Sequence, residues 1–279
     1  MMWTAPPGWY DDPYRVAQHR WWDGARWTQA AAGLGTGGQH TTRAEHPTLP
    51  LAAAIGAFVA VAVPVFASKF VLRALSDQRW PIAVYVALAG LLGYGPALLW
   101  CRFASRRWGS GSIRRDAGVE GRWVDLGWGV VTWLACLVTQ IAIGIVIVLT
   151  QLPTARNTEG IAERSGDRAY VISLLVLAVV AAPIVEEVVF RGFVMRGLLS
   201  RMSATAAVAA QGVLFGAVHA DPVRGMGNIG LVVILSGVGA TLGGAAYLFR
   251  RIAPTMLAHA VLNAVALALV LSGVADRFQ

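Results

Sequence analysis

The sequence predicts an all-α polytopic membrane protein of about seven transmembrane helices, preceded by a small Trp-rich, β-like N-terminal module. Three observations carry this prediction. The chain of 279 residues is 56% hydrophobic and only 14% charged, more apolar than ordinary soluble domains. Uncharged runs long enough to cross a bilayer, ~17–25 residues, recur along it. The basic residues collect mainly between those runs.

Seven runs are expected to span: Pro47–Ser68, Trp80–Cys101, Leu126–Thr150, Ala169 to about Leu199, Ala204–Ala220, Ile229–Phe249 and Ala253–Ala275. The fifth is short, and the fourth is interrupted by charge. The net charge of +8 does not point to a nucleic-acid partner, because the cations sit in the connections. The loop after the second run holds six arginines against two acids, and Arg196, Arg201, Arg250 and Arg251 follow the fourth and sixth runs. By the positive-inside rule those ends face the cytoplasm, which puts the N-terminus inside. Lys69, Arg73 and Arg79 run against this trend. Cys101 and Cys136 lack metal-ligand spacing and read as buried apolar thiols. No basic start leading into a short apolar core precedes the first run, so no signal peptide is expected.

Residues 1–30 read as a soluble module. Trp9, Tyr10, Trp21, Trp22 and Trp27 are separated by the turn signals Pro7-Gly8, Asp12-Pro13 and Asp23-Gly24. That pattern predicts a two- or three-stranded ribbon, with Asp23-Gly24 at a hairpin turn. It resembles a short Trp-rich module of unknown function found near the ends of many bacterial membrane proteins. A docking or accessory piece is the expected role, with carbohydrate or peptide binding on the tryptophans as the alternative; its partner is open. Residues 31–46, rich in Gly and Thr, read as a flexible linker to a helical bundle over 47–279.

The bundle carries few ionisable groups inside its spans, and each is a functional hypothesis because burying it in lipid is costly. They are Glu186, Glu187 and Arg191 in the fourth run, His219 in the fifth, and His259 in the seventh, four residues before Asn263. Glu187 and Arg191 share a helical face, as do Phe215 with His219 and His259 with Asn263. Glu186 lies about 100° round from Glu187, so one carboxylate can pair with Arg191 while the other faces a cavity. If the fourth and fifth runs turn near Met202, Glu186 lies sixteen residues before the turn and His219 seventeen after, at nearly one level. His259 lies only eight residues beyond Arg251, ~12 Å above its turn against ~25 Å for the other two. Strong tilt, a broken sixth helix or turns at different depths would each close that gap.

A carboxylate beside an imidazole can bind a water, take its proton and return it to a leaving group. His259 and Asn263 can donate to an oxyanion developing on a carbonyl, worth roughly 3–4 kcal/mol per donor in favourable cases. The combination predicts amide hydrolysis without a nucleophilic side chain.

Three quoted stretches, "EEVVFR", "FGAVH" and "HAVLN", have the forms Glu-Glu-x-x-x-Arg, Phe-x-x-x-His and His-x-x-x-Asn. In this order on three hydrophobic runs, they resemble the CPBP family of intramembrane glutamic endopeptidases, which includes CAAX prenyl proteases and bacterial relatives linked to bacteriocin self-immunity. The resemblance covers about residues 171–271. It implies that Glu186 and His219 hold and activate the water. Glu187 pairs with Arg191, His259 and Asn263 stabilise the oxyanion, and Phe215 lines the pocket. It implies a site inside the bundle that opens to the cytosol. The expected setting is a bacterial cell membrane, the expected substrate a peptide or membrane-protein segment in the lipid bilayer, and no cofactor is expected.

Other chemistries stay open at this stage. Glu186, His219 and His259 could ligate zinc in a metalloprotease, although the helical His-Glu-x-x-His signature is absent. A rhomboid-like pair of Ser236 and His259 lacks the glycine two residues before the serine, and no aspartate pair lies within the spans. A non-catalytic immunity factor, scaffold or transporter subunit would keep the same polar network for shape or transport.

Overall fold

Turn chemistry sets the N-terminal module. Asp23 Oδ1 accepts from the backbone N–H of Ala25 and Arg26 at 2.8 and 2.7 Å, and Gly24 supplies the positive φ of 97° that the turn requires. Strands β1 (Gly8–Asp11), β2 (His19–Trp22) and β3 (Trp27–Ala32) form an antiparallel meander in that order. Trp9 lies opposite Trp21, and Trp22 opposite Trp27, with ring centroids 5.5 and 5.2 Å apart. Asp12 is buried and accepts from Arg20 Nε at 2.8 Å. The chain divides into two units, Met1–Glu45 and His46–Gln279. The computed structural model describes residues 5–13, 17–32, 49–155, 158 and 161–274. Most of the expected linker, with His40 and His46, and the outer ends of the first and seventh runs lie outside the described residues.

The second unit is all helix. Its elements are α1 (Leu51–Ala74), α2 (Ile82–Trp108), α3 (Ile113–Ala117), α4 (Asp125–Thr150), α5 (Arg168–Leu199), α6 (Ala204–Ala217), α7 (Asn228–Phe249) and α8 (Ala253–Leu271). Among the described residues, α1, α2, α4, α5, α7 and α8 are long and apolar enough to cross a membrane. Their outward side chains include Leu99, Val148 and Leu248, each more than two-thirds exposed, as expected of a lipid-facing surface. The fifth expected run is shorter than the sequence indicated, because α6 stops at Ala217. Beyond it, Asp221 and Asn228 close a tight connection: Asp221 N–H donates to Asn228 Oδ1, and Asn228 Nδ2 returns a bond to Asp221 O, both at 2.7 Å.

Helix α5 is not a uniform α-helix. Its stretches Val176–Ala181 and Glu187–Val194 are π-helical, with Ala182 N–H donating to Leu177 O and Met195 N–H to Phe190 O, each five residues back. Pro183 gives a reason for the first stretch. It lacks an N–H, and its ring crowds the carbonyl four residues earlier, so the preceding turn widens rather than breaks.

Small residues bring α6 and α7 together. A Cβ on Gly212 would lie 2.8 Å from the backbone N of Ala240 and O of Ser236, and Gly239 faces the Cα of Gly212 across the same contact. Ser236 is therefore part of this packing seam. At the end of the bundle bearing the basic loops, α3 tucks beneath α5. Ser105 Oγ donates to Asp116, Arg196 Nη1 donates to Asp116 O at 2.6 Å, and Gly192 abuts Ala117. Gly118, at φ 72°, turns the chain so that its carbonyl accepts from Ile252 N–H at 3.1 Å.

The α6–α7 seam gives a direct test. Gly212→Ala should destabilise the detergent-solubilised protein by roughly 1–3 kcal/mol, the usual range for overpacking. Gly244→Ala, whose added carbon meets nothing within 4 Å, should leave the thermal unfolding midpoint unchanged. Equal midpoints for the two variants would contradict the close approach.

Candidate active site

Five helices, α2, α5, α6, α7 and α8, contribute to the polar cluster, and the π-helical turn of α5 starts it. Glu187 and Arg191 have no exposed surface, and Arg191 Nη1 donates to Glu187 Oε1 at 2.8 Å. Arg191 Nη2 donates to Gly239 O on α7 at 3.1 Å, and Gln211 Nε2 on α6 donates to that carbonyl at 2.7 Å. The guanidinium carbon lies 4.5 Å from the Phe215 ring centroid, a cation–π contact in a dry setting. Glu187 Oε1 also accepts from His259 Nδ1 at 3.0 Å. One carboxylate oxygen thus ties α5 to α8, and its arginine ties α5 to α6 and α7.

Glu186 points away from this pair into a cavity of about 340 Å³. Tyr94 on α2 donates its hydroxyl to Glu186 Oε1 at 2.6 Å. The other oxygen, Oε2, is buried with no hydrogen-bond partner among the described residues. It lies 4.0 Å from His219 Nε2 and 3.9 Å from His259 Nε2. Both rings have their Nδ1 engaged by acceptors. His219 Nδ1 donates to Phe215 O at 2.7 Å, and His259 Nδ1 donates to Glu187, so in the neutral rings each Nε2 carries a lone pair. Three acceptors then face one point with no donor between them, separated by more than a direct hydrogen bond. A polar molecule with hydrogens to give fits that gap.

The remaining sequence candidates fall around the same space. Phe215 lines the cavity and stacks near both imidazoles, with centroids 4.9 Å from His219 and 5.8 Å from His259. Asn263 also lines it, but its Nδ2 donates to Ala178 O in the first π-helical stretch, at 2.7 Å. His259 therefore pairs with Glu187 rather than with its own-face neighbour Asn263. The donors that zinc would use, Glu186, His219 and His259, converge. Even so, the described residues contain no group of three or more His, Cys, Asp or Glu side chains arranged to hold a metal ion.

The level of His259, the awkward point in the sequence, follows from turns at different depths. Ile252 is buried and bonded to Gly118, and the neighbouring Ala117 abuts Gly192, only six residues beyond Glu186 on α5. The α7–α8 turn is thus lodged ~9 Å below Glu186, and seven residues of α8 rise ~10 Å to His259. Arg251 fastens the turn through Asp125, at 2.8 Å from Nε and 2.5 Å from Nη2 to Oδ1, and these bonds raise the arginine's pKa.

Sequence reasoning missed Tyr94, Gln211 and Gly239. Tyr94 sits among glycines in "LLGYGPAL", a polar tip at mid-span that was a usable signal. The other two serve through backbone contacts that no spacing rule marks.

The Glu187–Arg191 pair yields a stability prediction. Arg191→Met should cost roughly 3–5 kcal/mol by leaving a buried carboxylate unpaired, and adding Glu187→Leu should recover most of the loss. Thermal unfolding of the purified single and double variants reads both effects. A single variant as stable as the wild type would show that the pair carries no weight.

Residues 168–265 match the Rce1-like family, described as type II CAAX prenyl endopeptidase Rce1-like, and residues 7–47 match a family described as a protein of unknown function (DUF2510). Searches of curated proteins and of solved structures returned no match. The match over 168–265 spans α5 to most of α8 and contains Glu186, Glu187, Arg191, Phe215, His219, His259 and Asn263. The helical core carries an Rce1-like domain with the fold of CAAX- and CPBP-type intramembrane proteases, its buried glutamates set against two histidines.

Proposed function

We propose that this chain is an intramembrane endopeptidase of a bacterial cell membrane, with its N-terminus in the cytoplasm and α6 serving as a short seventh span. The observation that carries the reading is the orphaned Glu186 Oε2 facing His219 Nε2 and His259 Nε2 across about 4 Å. A water in that gap donates to Glu186 and His219, and its oxygen is left to attack a peptide carbonyl. Glu186 takes the water's proton as the C–O bond forms, then passes it to the leaving amine as the C–N bond breaks. Tyr94 holds the carboxylate through its other oxygen, so Oε2 stays aimed at the water.

The oxyanion needs donors. His259 turns Nε2 toward this space and can supply an N–H to the oxyanion when that nitrogen carries a hydrogen. Asn263 has one amide hydrogen committed to Ala178 O and one left for substrate. Phe215 walls both rings, and Arg191 keeps Glu187 in place as a positioning residue. The substrate in this reading is a peptide or membrane-protein segment presented within the bilayer. No cofactor takes part.

Membrane proteomics of cells carrying wild type or Glu186→Gln tests the proposal. A cleavage fragment present with wild type should vanish with Glu186→Gln and persist when membranes are treated with a chelator. Loss on chelation with rescue by zinc would replace the water mechanism with a metal one. Tyr94→Phe should fold normally yet cleave roughly ten- to a hundredfold more slowly, the value of one hydrogen bond to a charged group.

A further inference from the structure

Another cavity, of about 440 Å³, lies between α3 and the α7–α8 turn. Arg114 and Arg115 of α3, Ser112 just before it and Arg250 of the turn line it, together with Glu120. Several cations around it are already matched. Arg251 bonds to Asp125, Arg196 donates to Asp116 O, and Arg107 lies over the Trp108 ring. Arg122 donates to Glu120 Oε1 from Nε and Nη2 at 3.0 and 2.7 Å, which neutralises the acid of the cavity.

The cations facing the cavity are different. Among the described residues, no hydrogen bond or ion pair engages the guanidinium of Arg115 or Arg250. Arg114 uses only Nε, on Val119 O at 3.2 Å, and its two outer nitrogens stay free. Ser112 Oγ accepts from Arg115 N–H and keeps its own hydrogen to donate. Arg250 is in addition held in left-handed backbone, at φ 58° and ψ 19°, where glycine is the easier residue. Its side chain is retained against a conformational cost.

The surroundings place these groups at the membrane boundary. Helix α7 is apolar enough to cross a membrane and ends at Phe249, so Arg250 is the first residue beyond it. Phe249 packs on Trp128 near the start of α4, with ring centroids 4.9 Å apart, and Trp123 just before α4 is 90% exposed. Aromatic rings so placed mark the level of lipid headgroups. Leu126 and Leu248, on the ends of the same two helices, are exposed and can lie along acyl chains.

We propose that this cavity binds the phosphodiester of an anionic phospholipid, which bridges α3 and the α7–α8 turn. Guanidinium forks and a hydroxyl match phosphate oxygens, and the unneutralised positive charge favours a headgroup that carries no amine. The bound lipid fastens the same turn that Ile252 and Gly118 lodge, so its binding reads out as stability. Neither the peptidase reading nor the orientation of the chain in the membrane enters this inference.

Thermal unfolding of the purified full-length chain in uncharged detergent micelles tests it. Phosphatidylglycerol added to the micelles should raise the midpoint to a plateau, whereas phosphatidylcholine should not. Arg115→Gln and Arg250→Gln should each raise the phosphatidylglycerol fraction needed for half the shift roughly fivefold, the worth of one cation near an anionic headgroup. Arg106→Gln, exposed at the same end but outside the cavity, should leave that fraction unchanged. If Arg250→Gln does not accumulate, Arg250→Gly removes the cation while suiting the left-handed backbone, and the response should weaken equally. No shift with phosphatidylglycerol, an equal response to the two lipids, or an equal loss in Arg106→Gln and the cavity variants would overturn the proposal. So would inorganic phosphate that produces the full shift by itself, because the cavity would then be a site for a free anion.

Discussion

The helical core depends on the buried ion pair between Glu187 and Arg191. Two charges without exposed surface are costly in a membrane bundle unless they are paired, and here the pairing reaches α6, α7 and α8 from α5. Arg191 reaches Gly239 O on α7 and lies over Phe215 of α6, while Glu187 reaches His259 on α8. The pair leaves little freedom in how these four helices rotate against one another. It also leaves Glu186, one residue earlier, turned toward open space with Tyr94 as its anchor.

The same helix divides the bundle into a solid half and a hollow half. Below Glu187 the π-helical stretch presents Phe190, Phe193 and Val194 to a packed layer that α3 and the α7–α8 turn complete. Above it, the first π-helical stretch opens the Ala178 carbonyl to Asn263, and the cavity begins. π-helical turns are rare and recur at functional sites, where the wider turn redirects side chains that a uniform α-helix would space differently. Low dielectric around the cluster strengthens its remaining interactions, and it makes the unpartnered Glu186 oxygen an expensive feature to keep without a use.

Much of this was legible in the residues. Intramembrane charge is rare enough that listing Glu186, Glu187, Arg191, His219 and His259 isolates the cluster, and i, i+4 spacing pairs Glu187 with Arg191. The Trp-rich head announces its hairpin through Asp23-Gly24, because that turn chemistry is local. The length of α6 was misjudged by a few residues, since hydropathy does not register the Asp221–Asn228 clamp that ends it. Tyr94 went unnoticed because its role depends on where α2 packs, and nothing in the α2 sequence refers to Glu186.

By itself the sequence determined the membrane class, the identity of the ionisable groups and the pairing within single helices. These are consequences of composition and of a fixed helical period. Only the tertiary structure decided that His259 bonds to Glu187 rather than standing with Asn263, that its low turn brings it level with Glu186, and which end of the bundle is open. Those outcomes depend on how deep each turn is lodged, and that depth is set by contacts such as Ile252 with Gly118 and Gly192 with Ala117. Such contacts join residues far apart in the chain, so no local pattern encodes them.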